Sequence, residues 1–332
     1  MSPLSCAIVV LNWNGRDLLA KFLPSLVAHA GAAKIYLADN ASTDDSVAFV
    51  EHNFPSVVII RNADNFGYAR GYNEALQHVE EEIYCLINSD VEVQSGWLEP
   101  VLTLFSDPSI AIAQPKILDF KKPGYFEYAG AAGGFIDKFG FPYCRGRIFN
   151  HLERDTAQFD DVTDIFWASG ACFFIRKSTF WELKGFDVDF FAHQEEIDLC
   201  WRAFNRGLRA VFCPASVVLH VGAATLQAGS PHKTFLNFRN SLWMLVKNLP
   251  ARSLFFILFF RLSQDGIAGI HFLMNGKPRH LWAVLKSHFY FYLYFFKFFA
   301  KREKFQRSDY YHRSSIVWDY YVRKRRIFRD LI

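Results

Sequence analysis

Ile83-Tyr84-Cys85-Leu86-Ile87-Asn88-Ser89-Asp90-Val91-Glu92 is the stretch on which the fold turns. A short apolar run reads as a buried parallel strand, and this one stops abruptly at Asn-Ser-Asp. In open α/β sheets, ligands bind just beyond the carboxyl ends of the strands. A carboxylate there is placed to hold a hard divalent cation, which in turn holds a diphosphate. The same three residues also suit a plain turn after a strand.

Outward from this run the chain alternates. Strand-like segments at 6–12, 35–39, 57–61 and 110–114 are separated by helical patterns at 16–28, 44–53, 69–81 and 96–105. Such alternation predicts an α/β fold with a mainly parallel, Rossmann-like sheet and helices on both faces. Ser42-Thr43-Asp44-Asp45 reads as a helix N-cap. Between 115 and 161, Gly, Pro and aromatic residues predict loops and short strands. Order returns at 164–176, then in an acidic helix over 194–205 that Gly207 ends, and in an apolar stretch at 210–221.

At 332 residues the chain can bury a sizeable core, and 51% hydrophobic residues exclude wholesale disorder. Six cysteines without a C-x-x-C pair indicate neither a zinc site nor a disulfide framework, and fit buried thiols in a reducing compartment. No basic segment precedes the first strand-like run, so a signal peptide is not expected. Charge is uneven: 21 Lys+Arg stand against 28 Asp+Glu up to residue 250, and 16 against 5 beyond it.

That basic end is also aromatic, and it predicts a C-terminal helical extension over 226–332. Runs at 254–260 and 281–300 are strongly apolar. Arg261, Gln264 and Asp265 follow the first, and Lys286, His288 and Lys297 interrupt the second, so neither reads as a clean membrane span. Trp282, Leu285, Phe289, Tyr292, Leu293, Phe296 and Phe299 recur at helical spacing, which predicts a helix lying in a membrane surface. Arg323-Lys324-Arg325-Arg326 would then meet anionic headgroups. Packing on the body or on another copy in a homo-oligomer is the other use of such a helix. Nucleic acid, which a basic tail can also bind, is not an expected partner.

Four polar constellations fall at one edge of the predicted sheet. Asn12-Trp13-Asn14-Gly15 ends the first strand, and Asp39 ends the second, where a carboxylate can accept hydrogen bonds from a base or ribose. In Asn65-Phe66-Gly67-Tyr68-Ala69-Arg70-Gly71-Tyr72-Asn73, the glycines permit close backbone approach and Arg70 can pair with a phosphate. No G-x-G-x-x-G follows the first strand, which weighs against a nicotinamide or flavin dehydrogenase. In Glu195-Glu196-Ile197-Asp198-Leu199-Cys200-Trp201-Arg202, Asp198 and Arg202 are spaced for a helical ion pair, and Ile197, Trp201 and Phe204 line its buried stripe. Repulsion among three acids would raise at least one pKa toward the range of a general base. An exposed acidic helix start would carry the same residues.

Leu-Asn-Trp-Asn-Gly, Ala-Asp-Asn-Ala-Ser-Thr-Asp, Asn-Phe-Gly-Tyr-Ala-Arg-Gly-Tyr-Asn, Ile-Asn-Ser-Asp and Glu-Glu-Ile-Asp-Leu-Cys-Trp-Arg stand in the order found in family 2 glycosyltransferases. Over residues 4–225 the chain resembles that family, and within it the rhamnosyltransferase-like bacterial branch. The resemblance implies a GT-A catalytic domain over 1–225 and a nucleotide-sugar donor carrying UDP or dTDP. It also implies Mg²⁺ or Mn²⁺ and an inverting displacement onto a glycan or lipid-linked acceptor. Asp39 would contact base or ribose, with Asn12, Asn14, Asn65, Gly67, Arg70, Asn73 and Asn88 on the donor side. Asp90 would bind the metal and His220 complete its site. Glu196 stands where the family has its general base, with Glu195 as the alternative. Trp167, Ser169 and Gly170 match the acceptor-side segment. The processive synthases' Gln-x-x-Arg-Trp motif is missing, which favours single additions in cell-envelope polysaccharide assembly. Such an enzyme is expected in the cytoplasm, peripheral on the inner membrane face. The rival reading is a catalytically degenerate membrane scaffold.

Overall fold

The structure, a computed structural model, describes residues 4–222 and 229–331. Its first half follows the alternation. Strands β1 (Cys6–Asn12), β2 (Lys34–Asp39), β3 (Val58–Arg61) and β4 (Ile83–Asn88) form an all-parallel block in the order β3-β2-β1-β4. Helices α1 (Arg16–His29), α2 (Ser46–Asn53) and α3 (Gly67–Ala75) make the crossovers. β1 and β4 are buried almost throughout, as strands covered on both faces must be. Register pairs Asn12 with Asp39 and Leu11 with Asn88, so the polar strand ends form one row at the carboxyl edge.

Beyond β4 the sheet is mixed. β5 (Val91–Val93) and α4 (Leu98–Leu104) lead into β6 (Ile110–Asp119). A small antiparallel sheet follows, made of β7 (Gly134–Ile136), β8 (Pro142–Cys144), β9 (Arg147–Ile148) and β10 (His151–Leu152). β11 (Thr163–Ile165) lies at the edge of the main sheet, and β12 (Cys172–Arg176) is inserted antiparallel between β4 and β6. After α5 (Lys177–Glu182) and α6 (Glu195–Asn205), β13 (Arg209–His220) runs parallel to β6. A register shift between Cys213 and Val217 bends β13, so that its end pairs with β5 and sets His220 opposite Val91. Bulges re-aim strand ends in this way, and this one delivers a distant histidine to the Asn-Ser-Asp turn.

The C-terminal helices are α7 (Pro231–Asn248), α8 (Ala251–Met274), α9 (Pro278–Leu293), α10 (Phe295–Ala300) and α11 (Ile316–Tyr321). Ser230 caps α7, accepting from Lys233 N at 3.2 Å, with Pro231 in the first turn. Leu242, Trp243, Met244 and Leu245 of α7 sit in the same core as Phe190 and Trp201. The apolar segment 281–300 is two helices rather than one, bending at Tyr294 so that Phe298 stacks on Trp243 at 4.1 Å. Both faces of this segment are largely apolar. Ala283, Val284, Ser287 and Phe291 face the protein, while the aromatic stripe from Trp282 to Phe299 lies outside, with Phe296 82% exposed.

α8 is longer than its apolar run suggested: its 24 residues are long and apolar enough to cross a membrane, by length and composition. Its Arg261 and Asp265 are buried against the body, paired at 2.9 Å, with Arg261 donating to Gly140 O and Ser241 Oγ. Phe255, Phe256, Phe259, Ile267, Ile270 and Met274 face outward. The chain then returns across the body, where Tyr310 packs on Trp201 at 4.8 Å. In the basic tail, Asp319 gathers Arg313, Arg323 and Arg325, leaving Lys324 and Arg326 exposed. All six cysteines are free and buried.

Candidate active site

At the carboxyl edge of the parallel block, the tips of β1 and β2 are tied together. Asp39 is 3% exposed and accepts from Asn12 Nδ2 at 2.9 Å, Ser42 Oγ at 2.5 Å and Ser42 N at 3.0 Å. Asn14 takes a left-handed φ of 49°, and its Oδ1 accepts from Thr43 N at 2.7 Å. These bonds shape the turn after β2 around a buried carboxylate. The cap of α2 lies one residue earlier than the helix boundary: Asp45 makes no side-chain cap bond, and Asp44 accepts from Ser46 N at 3.1 Å.

The 65–73 segment forms the next wall. Asn65 Oδ1 accepts from Gly67 N at 3.1 Å. Gly67 has φ 70°, and a Cβ there would lie 2.7 Å from the Phe191 ring, so only glycine fits without rearrangement. Asn40, which sequence reasoning missed, donates to Gly67 O at 3.0 Å and accepts from Asn62 at 2.7 Å. Two expected donor-side residues are engaged elsewhere. Asn73 bonds the Phe186 backbone in both directions, at 2.8 and 2.9 Å, so its amide anchors the segment before α6 instead of facing a ligand. Arg70 pairs with Glu74 at 3.1 Å and lies over the Phe66 ring at 3.9 Å, because the i,i+4 spacing and a neighbouring aromatic offer nearer partners.

The Asn-Ser-Asp turn meets the end of β13. Asp90 Oδ1 lies 3.2 Å from His220 Nε2, and Glu127 Oε2 is 3.3 Å from the ring's other nitrogen. All three residues are about 5% exposed. Burial lowers the His220 pKa, but Asp90 and Glu127 outweigh it and lift the ring to about 10. Asn88 Nδ2 stands 3.5 Å from His220 Nε2. The Asp90 carboxylate is the donor type that Mg²⁺ or Mn²⁺ favours, while the His220 ring sits between two carboxylates, one at each nitrogen. Among the described residues no group of three or more His, Cys, Asp or Glu is arranged to hold a metal ion by itself.

Helix α6 starts with Glu195 and Glu196. Glu195 is 4% exposed, and Oε2 of each acid is buried without a hydrogen-bond partner. Burial raises Glu196 to about 7, and burial plus the charge of Glu196 raises Glu195 well above the carboxylate range. Repulsion alone therefore accounts for less of the shift than desolvation does. Asp198 goes the other way: Lys247 and Arg202 overcome its burial and hold it low. The Asp198–Arg202 pair forms at 2.9 Å.

Of the expected acceptor-side residues, Gly170 is the one beside Glu196. Its carbonyl accepts from Tyr68 OH at 2.8 Å, and a Cβ there would sit 3.8 Å from the Glu196 carboxyl carbon. Trp167 is a core residue, 2% exposed, with its indole donating to Phe135 O at 2.9 Å. Ser169 is likewise internal, 1% exposed, its N bonded to Gln114 and its Oγ to Ala171 N. A buried connection between β11 and β12, with its polar groups satisfied, explains both better than ligand contact.

The family model described as Glycosyl transferase family 2 matches residues 7–184. The chain belongs to this family. An N-acetylglucosaminyl-diphospho-decaprenol L-rhamnosyltransferase of Mycobacterium tuberculosis is 26% identical over 233 residues, covering 64% of this chain and 75% of that protein. A structure of GalNAc-T7 with UDP, GalNAc and Mn²⁺ superposes with TM-score 0.59 at 16% identity, covering 75% of this chain and 49% of that one. The mannosyltransferase PcManGT from Pyrobaculum calidifontis, solved with GDP-Man and Mn²⁺, gives 0.52 at 13% identity, with 87% of each chain covered. These likenesses establish the GT-A fold, and family membership makes the chain a glycosyltransferase similar to rhamnosyltransferases.

Within this family 2 enzyme, further residues tie these segments together. Tyr68, passed over in sequence as part of a glycine-rich turn, ties the 65–73 segment to Gly170. Glu127 lies in an irregular stretch where a lone acid carries no signal. Lys247 and Asn248 reach Asp198 from α7, at 2.8 Å each, across 49 and 50 residues of sequence.

Proposed function

We propose that this glycosyltransferase moves a sugar from a UDP- or dTDP-linked donor to a hydroxyl of a glycan or lipid-linked acceptor, by one metal-assisted, inverting displacement. The observation that carries the reading is the pair of acids opening α6, each with one buried carboxylate oxygen lacking a hydrogen-bond partner; Glu196 lies beside Gly170, and Asn88 N, at the start of the Asn-Ser-Asp turn, bonds the adjoining Ala171 O at 2.9 Å. Asp39, Asn12, Asn14, Asn65 and Gly67 shape the donor pocket, with Asn88 beside the diphosphate.

Glu196 acts as the base. Raised to about 7 by burial, it is substantially ionised at neutral pH, and Glu195, whose carboxyl burial and the Glu196 charge also raise, stands beside it. Glu196 takes the acceptor's hydroxyl proton as that oxygen bonds to the anomeric carbon. The bond from that carbon to the diphosphate oxygen breaks, and its electron pair leaves with the nucleotide. A Mg²⁺ or Mn²⁺ ion held by Asp90 and His220 would neutralise charge on that leaving group. The donor diphosphate and water would supply its remaining ligands.

The acceptor reaches the enzyme at a membrane surface, on the cytoplasmic face. What supports this is the outward stripe of α8, α9 and α10. Between 251 and 300 the single acid, Asp265, is buried, while Arg252, Lys277, Arg279 and Lys286 are exposed and basic. Apolar residues flanked by cations suit anionic lipid. The region 226–332 therefore serves as the membrane-facing part and 1–225 as the donor-binding part. A screen of UDP- and dTDP-sugars, reading nucleotide release with and without Mn²⁺, tests the activity; release that is insensitive to metal would contradict the mechanism.

A further inference from the structure

The segment entering α6 is wound in a form that side-chain-bearing residues rarely adopt. Phe191, His193 and Gln194 have φ of 65°, 71° and 73°, and none is glycine. Such a run persists only where its surroundings over-determine it. Asn240, fully buried on α7, supplies much of that determination. Its Nδ2 donates to the carbonyls of Phe190 at 3.0 Å, Ala192 at 2.9 Å and His193 at 2.7 Å. Its Oδ1 accepts from Arg239 Nε at 2.9 Å, which keeps the donor end turned toward the loop.

On its other side the loop is pinned to the donor wall, where Phe191 O accepts from Tyr68 N at 3.0 Å. Immediately downstream, His193 Nε2, Gln194 Oε1, Glu195 Oε2 and Glu196 Oε2 are all buried without a partner in the protein. Four successive side chains with unmet polar atoms form a surface built for a polar ligand. The backbone geometry that aligns them is the one Asn240 holds.

We propose that Asn240 is a positioning residue for glycosyl transfer: its amide holds loop 190–194 in the left-handed form that aims residues 193–196 at the acceptor. The role rests on reading that surface as the acceptor side of the transfer site. It makes α7, a helix of the C-terminal region, part of the catalytic apparatus. Displacements of about 1 Å at a reacting group cost about 10²-fold in rate, so a relaxed loop is expected to slow chemistry while sparing the donor pocket.

Asn240→Ala removes the donors, and Asn240→Asp removes them while keeping the volume, which preserves the test if the first variant is insoluble. Both are expected to lower kcat by about 10²-fold. Donor KM and calorimetric binding of UDP with Mn²⁺ should stay within twofold of the wild type, and the acidic limb of the kcat–pH profile should move. A kcat within threefold of wild type, or a parallel fall in kcat and UDP affinity, overturns the proposal. Glu196→Gln run alongside separates the two readings. If it is fully active while both Asn240 variants are slow, the base assignment fails and the positioning role stands. If it is slow while both Asn240 variants keep the full rate, the positioning role fails alone.

Discussion

Replacing Lys247 with methionine removes the one cation shared by two buried carboxylates. Lys247 Nζ lies 2.7 Å from Asp187 and 2.8 Å from Asp198, with its side chain 4% exposed. Deleting one partner of a buried ion pair costs about 3–5 kcal/mol. Here each acid keeps another partner: Lys301 stays with Asp187, and Arg202 and Asn248 stay with Asp198. The loss should therefore fall at the lower end, about 3 kcal/mol. Unfolding entropy of about 2.1 cal/mol/K per residue gives about 0.7 kcal/mol/K for this chain, hence a midpoint lowered by about 4 °C.

The pH dependence has a definite sign. Lys247 and Lys301 depress the Asp187 carboxyl against its burial, and Lys247 and Arg202 depress Asp198. A depressed carboxyl contributes stability above its unfolded pKa of about 3.9, and that contribution is lost as pH falls through the folded value. The gap between wild type and Lys247→Met should be full at pH 7 and narrow below about pH 4. Thermal melts of both proteins at pH 7 and in acid measure it. A variant melting within about 1 °C of wild type at pH 7, or a gap that widens in acid, refutes the ion-network reasoning.

Gly67→Ala should cost about 2–4 kcal/mol, from a left-handed φ of 70° and a Cβ 2.7 Å from Phe191, and should slow turnover because Phe191 leads into α6; melts and kcat check both parts. Because burial raises Glu196 to about 7, kcat should rise with pH through that value and then level off; a flat profile from pH 5 to 9 would exclude Glu196 as the titrating base. Phe289→Glu with Phe296→Glu, both on the exposed stripe, should abolish sedimentation with phosphatidylglycerol vesicles and leave UDP binding unchanged. If vesicle binding persists, or if the change instead dissolves a dimer, the membrane reading of that face is wrong.

The parallel block was legible because each strand is a continuous apolar run ended by a polar turn, and the turns at Asn12, Asp39 and Asn88 then had to share an edge. The direction of β12 was not, since a short buried strand has the same composition whichever way it runs. Trp167 and Ser169 show the same limit at the level of roles. An indole bonded to Phe135 O inside the core has the same letter in the sequence as one stacked on a sugar. Asn73 and Arg70 found local partners in Phe186 and Glu74 that motif reading does not weigh. The exposed stripe from Trp282 to Phe299 followed from helical spacing, but its bend at Tyr294 depends on the Trp243 surface against which α10 packs. Asn240 and Lys247 lay beyond reach for a different reason: their partners are 47 to 60 residues away, and only the packing of α7 on α6 brings them together.

Asp90 and Glu196 are proposed to serve one transfer site. Nucleotide release from the donor in the presence of Mn²⁺ and acceptor, compared among wild type, Asp90→Ala and Glu196→Gln, addresses it most directly. Both variants should fall by about 10²-fold or more, Asp90→Ala with weakened Mn²⁺-dependent UDP binding and Glu196→Gln with that binding intact. Wild-type turnover in either variant would contradict it.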